Sequence, residues 1–201
     1  MKGGMGWLVD GLFLQKNMLS WYTYDQGFSL EEVDRMRELE DGLAFEGAVT
    51  FRDLDKPSEI MRKSQIAWLN AEKSNTWIYD KISGMVATAN NEMWGFALAG
   101  FNEAIQYTKY DKVGSHYDWH VDIGKDAASM RKLSLTVMLS DADEYEGGEF
   151  EFMLGGQSTD IISSRKGKVL LFPSYMMHRV RPVTKGIRRS LVIWITGPPF
   201  I

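Results

Sequence analysis

Over residues 133–140 every second residue is aliphatic: Leu133, Leu135, Val137 and Leu139 alternate with Ser134, Thr136, Met138 and Ser140. A period of two belongs to a strand with two distinct faces, and a helix cannot gather those positions on one side. Arg188–Thr196 repeats the pattern, with Leu191, Ile193 and Ile195 on one face and Arg188, Ser190, Val192 and Trp194 on the other. Residues 169–172 form a short apolar run stopped by Pro173. Turn signals punctuate these runs at Gly147-Gly148, Gly155-Gly156, Lys166-Gly167 and Lys185-Gly186. From about Trp94 onward the chain therefore reads as β, in short strands at the spacing of a sandwich or barrel.

The first half is mixed. Trp21, Tyr22, Thr23 and Tyr24 are strand formers. Ser29 with Glu32 three residues on predicts a capped helix, with Leu30, Val33, Met36 and Leu39 as its apolar stripe and Gly42 as its stop. Residues 44–51 and 64–69 read as strands, joined by a charged loop containing Pro57. Ser74 starts a second predicted helix with Trp77, Ile78, Ile82, Met85 and Val86 on its buried side. A chain of 201 residues suits one domain. Residues 1–95 are expected to support a β core formed by residues 96–201.

Composition removes several function classes. The net charge of −4 argues against nucleic-acid binding. With no cysteine there is no disulfide framework, thiolate zinc site or cysteine nucleophile. The N-terminal stretch is apolar but interrupted by Asp10, and it lacks the pattern of a signal peptide. No run approaches the length of a membrane span. The expectation is a soluble cytoplasmic protein.

Any imidazole chemistry must use His116, His120 or His178. His120 and Asp122 are two residues apart, so in a strand both point to one face and can converge on one metal ion. His178 follows at the end of a predicted strand and turn. Two histidines and one carboxylate with other positions open form the facial set of non-haem Fe(II) oxygenases. Arg188 shares its strand face with Ser190, Val192 and Trp194. An arginine facing into a barrel is costly unless an anion meets it, and its fork suits a carboxylate. Arg189, on the opposite face, reads as an ordinary surface residue.

The ordered set Tyr110, Gly114, Tyr117, His120 and Asp122, then residues 133–140, then Gly147-Gly148-Glu149, then His178, Pro182, Val183, Gly186 and Arg188 resembles the Fe(II)/2-oxoglutarate dioxygenases. Within them it is similar to the prolyl 4-hydroxylase-like branch, including small bacterial and phage enzymes. The likeness covers about residues 103–196, with a looser echo at Arg62, Ser64, Trp68 and Leu69. It implies a double-stranded β-helix, or jelly-roll barrel, buttressed by helices. It implies Fe(II) on His120, Asp122 and His178. It implies 2-oxoglutarate with its far carboxylate on Arg188 and Tyr110, lined by Thr136 and Trp194. Ascorbate is a candidate reductant. Collagen-type prolyl hydroxylases carry lysine at the Arg188 position, whereas oxygen-sensing and bacterial branches carry arginine.

The implied reaction decarboxylates 2-oxoglutarate to succinate and hydroxylates a substrate C–H, with peptidyl proline first and a free amino acid or other small molecule as the alternative. The chemistry is iron-centred, so no protein acid or base is named. A zinc hydrolase and a non-enzymatic binding barrel are the rivals. His116 is read as a non-ligand, and Trp119 as pointing away from the metal. Residues 124–129 are a candidate lid, and Glu149 is a minor candidate for substrate contact. Pro198 and Pro199 close the last strand, with a weaker reading as substrates for another copy.

Overall fold

The computed structural model describes residues 21–48, 61–154 and 158–200. The first half contains β1 (Tyr22–Tyr24), α1 (Leu30–Glu38), β2 (Glu46–Gly47), β3 (Arg62–Lys63), β4 (Gln65–Leu69) and α2 (Thr76–Met93). Then come β5 (Gly100–Phe101), β6 (Ile105–Tyr110), β7 (His116–His120) and β8 (Arg131–Met138). Seven strands follow: β9 (Tyr145–Gly147), β10 (Phe150–Leu154), β11 (Ser158–Ile162), β12 (Val169–Pro173), β13 (His178–Val180), β14 (Val183–Gly186) and β15 (Arg188–Thr196). The larger sheet runs β1-β12-β8-β15-β6-β4-β2, with β5 on the end of β15. The smaller runs β11-β10-β13-β7-β3, and β9 pairs with β14. This is the jelly-roll architecture expected from the second half.

The alternation of β8 separates two interiors. Leu133, Leu135 and Val137 join Val169, Leu171, Leu191 and Ile193 in a core closed by Val33 and Met36 of α1 and Ile78, Ile82 and Val86 of α2. Each such aliphatic burial stabilises by about 1.5–3 kcal/mol. The other face carries Ser134, Thr136 and Met138 and is equally buried, because it looks across at the smaller sheet. Met138, Leu170 and Phe172 meet Phe150, Phe152 and Val180 there. That second interior is where polar groups collect.

Several boundaries differ from the sequence reading. The capping box between Ser29 and Glu32 is present, but Leu30 is 61 % exposed and does not join the stripe. Leu39 passes into a short 3-10 turn ending at Gly42. The second helix starts at Thr76, not Ser74, because the Asn75 side chain instead holds the preceding turn through Glu72 N and Asn70 O. The strand predicted at 64–69 is present as Gln65–Leu69 in the larger sheet, and just before it Arg62–Lys63 pairs in the smaller, so the chain changes sheets at Ser64. Of the strand predicted at 44–51, Glu46–Gly47 is paired, while residues 49–51 lie outside the described residues. The N-terminal apolar stretch, the Pro57 loop and the Gly155-Gly156 turn lie outside them too.

At the C-terminal end Phe200 packs against Phe96 and Tyr175, each 5.7 Å away, beneath the Lys132 ammonium. Among the described residues, no helix is long and apolar enough to cross a membrane.

Candidate metal centre

His120 ends β7, and its direct partner on antiparallel β13 is His178. The register slips between His178 and Val180, so Val180 faces Tyr117 rather than Asp118. The bulge turns both Tyr117 and His120 into the space between the sheets, where their rings stack at 3.4 Å. Asp122 is not on the strand, contrary to the two-residue strand reading. β7 stops at His120, and the amides of Asp122 and Ile123 donate to the Ser174 carbonyl at 2.9 and 3.1 Å. This turn, not strand alternation, brings the carboxylate back to the imidazoles.

His120 Nε2 lies 3.6 Å from Asp122 Oδ1, and His178 Nε2 lies 3.7 Å from Asp122 Oδ2. One ligand atom from each residue falls within 4.8 Å of the others. Each Nδ1 sits on a main-chain carbonyl: His120 on Asp118 O at 2.7 Å, His178 on Met176 O at 2.9 Å. A carbonyl can only accept, so the proton belongs on Nδ1 and the Nε2 lone pair faces the cluster, as a metal requires.

Electrostatics agree with that donor set. Burial and the neighbouring His178 push the pKa of His120 down to about 3, which keeps it neutral. Burial alone would raise the Asp122 carboxyl, but the two imidazoles, the Ser134 hydroxyl and Arg131 outweigh it and hold it below its ordinary value. A neutral His120 and an ionised Asp122 are the forms in which these two side chains bind a divalent cation. His178 is walled by Phe150, Phe152 and Phe172, with centroids 5.3, 6.3 and 4.7 Å away.

The support of Asp122 was not visible in the sequence. Arg131 donates from Nη1 to the Asp122 carbonyl at 3.1 Å. Its other nitrogens clamp Glu103, Nε to Oε1 at 2.7 Å and Nη2 to Oε2. Ser134 Oγ lies 3.0 Å from Ser174 Oγ. Only the place of Ser134 on the polar face of β8 hinted at this role.

Arg188 is 2 % exposed and lies directly opposite Tyr110 on β6, its guanidinium carbon 5.4 Å from the phenol ring. It has weak contacts with Ser190 Oγ at 3.3 Å and Met138 Sδ at 3.6 Å, and its Nε has no partner. Among the described residues no carboxylate pairs with it. Gly148, at φ +66°, leaves room for its stem: a Cβ there would stand 3.0 Å from Arg188 Cδ. Thr136 is buried, facing Val192 and Leu170. Trp194 lies opposite Ser134, between the Arg131 guanidinium at 3.7 Å and the Trp68 ring at 6.5 Å, with its indole N–H unpartnered.

The other sequence candidates fall elsewhere. His116 bonds through Nδ1 to the Gly114 carbonyl and is not in the cluster. Trp119 lies under the Arg179 guanidinium at 4.4 Å. Arg189 is not a free surface residue, since its Nε bonds to Glu40 at 2.6 Å on the helix side. Within residues 124–129, a 3-10 turn begins at Asp126. Gly147-Gly148-Glu149 forms the β9–β10 turn, with the Glu149 carbonyl accepting from Arg181 N.

Residues 105–196 match the model of the 2OG-Fe(II) oxygenase superfamily. That segment, a little under half of the chain, is similar to the superfamily. A PKHD-type hydroxylase of Synechococcus sp. (strain CC9902) is 42 % identical over 84 residues, covering 42 % of this chain and 37 % of that protein. The matched part thus spans well under half the length of that curated relative. Two solved structures share the fold of this chain. A Pseudomonas putida prolyl-4-hydroxylase has a TM-score of 0.70 at 18 % identity, covering 93 % of this chain and 98 % of that one. A prolyl hydroxylase from Trichoplax adhaerens, in complex with a hypoxia inducible factor oxygen degradation domain peptide fragment, has a TM-score of 0.73 at 15 % identity, covering 96 % and 94 %.

Proposed function

We propose that the protein is an Fe(II)- and 2-oxoglutarate-dependent dioxygenase that hydroxylates peptidyl proline. The observation that carries this reading is the buried guanidinium of Arg188, which no carboxylate among the described residues meets, in the same inter-sheet space as the cluster of two imidazoles and a carboxylate. His120, Asp122 and His178 would hold Fe(II), which when bound supplies the activation of oxygen. Arg188 would take the far carboxylate of 2-oxoglutarate in a two-pronged contact, with Tyr110 beside it. Thr136 and Trp194 would line that pocket, and the Trp194 N–H offers a donor that the protein itself leaves unused. The phenyl rings around His178 keep water from the reacting edge. The overall change balances as 2-oxoglutarate, oxygen and R–H giving succinate, carbon dioxide and R–OH.

A zinc hydrolase would want a general base beside its metal, and among the described residues no further carboxylate or imidazole joins the cluster. It would also have no use for Arg188. The choice of proline rests on the names of the two structural neighbours, both prolyl hydroxylases, and on the peptide held by the Trichoplax structure, whose fold this chain shares. Ascorbate as reductant, a cytoplasmic setting, and residues 96–201 as catalytic core over a 1–95 support belong to the same proposal.

The test has two stages. Fe(II) and 2-oxoglutarate added without oxygen should produce a visible charge-transfer band, which neither a zinc hydrolase nor a binding barrel would give. Admitting air with proline-containing peptides should then yield succinate and a +16 product on proline. A band and succinate with +16 only on a free amino acid would keep the dioxygenase and replace its substrate.

A further inference from the structure

Three arginines are buried among the described residues: Arg62, Arg131 and Arg188. A guanidinium cannot shed its proton, so each needs an anion or a strong substitute. Arg131 has Glu103. Arg188 is assigned the co-substrate. Arg62, 7 % exposed, has no carboxylate partner among the described residues. Its Nε donates to Ser64 Oγ at 2.9 Å and its Nη2 to Gln106 Oε1 at 2.8 Å, both neutral acceptors. Gln106 is itself fixed by the Thr108 hydroxyl at 3.1 Å. Nη1 has no hydrogen-bond partner among the described residues.

The position of Arg62 relates it to the metal centre. Its guanidinium lies 4.5 Å from the Tyr117 ring, and Tyr117 stacks on the ligand His120. β3 places Arg62 directly opposite Tyr117 on β7. The residue also lines a cavity of about 220 Å³ with Ser64, Ser115, Lys63, Lys112 and Asp111. Two lysines against one aspartate leave that cavity positive even before Arg62 is counted.

We infer that Arg62 binds a carboxylate of the primary substrate. The inference rests on the dioxygenase reading, because 2-oxoglutarate has only two carboxylates: one is taken at the metal end and the other by Arg188. A further buried guanidinium one stacked ring away from a metal ligand is placed to meet an anionic group of the molecule being oxidised. Ser64 and Gln106 hold the fork in a fixed orientation, so the anion finds it already placed. The carboxylate can come from an Asp or Glu side chain flanking the target residue in a peptide, or from the α-carboxylate of a free amino acid.

Two matched pairs of probes separate these sources. One is the end-capped peptide Ala-Glu-Pro-Glu-Ala against Ala-Gln-Pro-Gln-Ala; the other is L-proline against L-prolinamide. Binding is measured by calorimetry to protein loaded with Fe(II) and 2-oxoglutarate without oxygen. The acidic member of one pair should bind at least tenfold more tightly than its neutral partner, and the pair that does so names the source. The preference should shrink at high salt and disappear in Arg62→Gln, while the affinity for 2-oxoglutarate stays the same. Equal affinity within both pairs, or no detectable binding of any probe, overturns the inference from wild-type protein alone. A preference that survives in Arg62→Gln overturns it as well. Admitting oxygen afterwards tests the parent reading separately. Hydroxylation of both peptides without preference would sink the anion site and keep the prolyl hydroxylase. An Arg62-dependent preference with no +16 on any peptide would do the reverse.

Discussion

His120 and His178 are direct cross-strand partners on β7 and β13, with ring centroids 4.1 Å apart. The candidate metal centre therefore depends on the register of one strand pair in the smaller sheet. A slip of one residue in either strand would turn that strand's ring to the opposite face. The carboxylate comes from a different device, the turn that Ser174 holds. Two rigid partners and one adjustable one make a cluster in which each ligand can be removed without dismantling the sheets.

His120→Ala and His178→Ala should each abolish iron-dependent turnover with the fold retained. A bound ligand stabilises the native state by RT ln(1 + [L]/Kd), which is about 2.7 kcal/mol at a hundredfold excess over Kd. Wild-type protein should therefore melt several degrees higher when Fe(II) is added anaerobically, and neither variant should respond. A variant that keeps full activity would remove that histidine from the metal set.

Arg188→Ala should raise the apparent KM for 2-oxoglutarate at least tenfold, which is about 1.4 kcal/mol, and leave iron affinity nearly unchanged. Tyr110→Phe should act in the same direction and less strongly. Arg189→Ala should lower stability instead, because Arg189 bonds to Glu40 on the helix side of the same strand. Steady-state kinetics together with thermal melts separate these outcomes. A larger KM defect for Arg189→Ala would exchange the roles of the two arginines.

What the sequence revealed follows from periodicity. The alternation on β8 and β15 exposes both faces to prediction, so the positions of Arg188, Thr136 and Trp194 on the inter-sheet side could be read directly. Gly147-Gly148 marked a turn for the same local reason. What it concealed depends on contacts between distant segments. Nothing near Asp122 in the chain announces Ser174, which captures its amide from 52 positions away. Arg62 sits in a stretch that reads as the end of a charged loop, and only its pairing with β7, before the change of sheets at Ser64, turns its guanidinium inward. For Arg189, strand alternation gives the side of the sheet but not what covers it, here Glu40 of the 3-10 turn after α1.

Ser134→Ala should weaken metal binding roughly tenfold with little loss of fold, because supporting hydrogen bonds orient a metal-binding carboxylate rather than make it. The Ser134 hydroxyl reaches both the Asp122 carboxylate and Ser174 Oγ, so its removal frees the carboxylate to rotate. Co(II) titration followed by its visible absorption reads the affinity without turnover. Unchanged Co(II) affinity would mean that the Ser174 turn alone fixes Asp122.

Glu40→Gln should cost stability at neutral pH and progressively less in acid. Glu40 accepts from Arg189 Nε at 2.6 Å, Tyr107 Oη at 2.9 Å and Lys109 Nζ at 3.2 Å. Burial pulls its carboxyl upward, but Arg189, Tyr107 and Lys109 together hold it below the ordinary 4.5. As pH falls through 4.5 the unfolded chain takes up the proton first. The stabilisation from this group is therefore complete above that value and is lost as pH drops through the lower, folded-state value. Hydrogen bonds to a charged group contribute about 2 kcal/mol, or roughly 4–8 °C in Tm for a chain of this size. Glutamine can still accept from one or two of these donors but carries no charge and takes up no proton. Melts of wild type and variant at pH 7 should differ by about that amount, and the gap should narrow as the pH falls below the ordinary 4.5. A gap that stays constant into acid would show that Glu40 acts through its shape and not its charge.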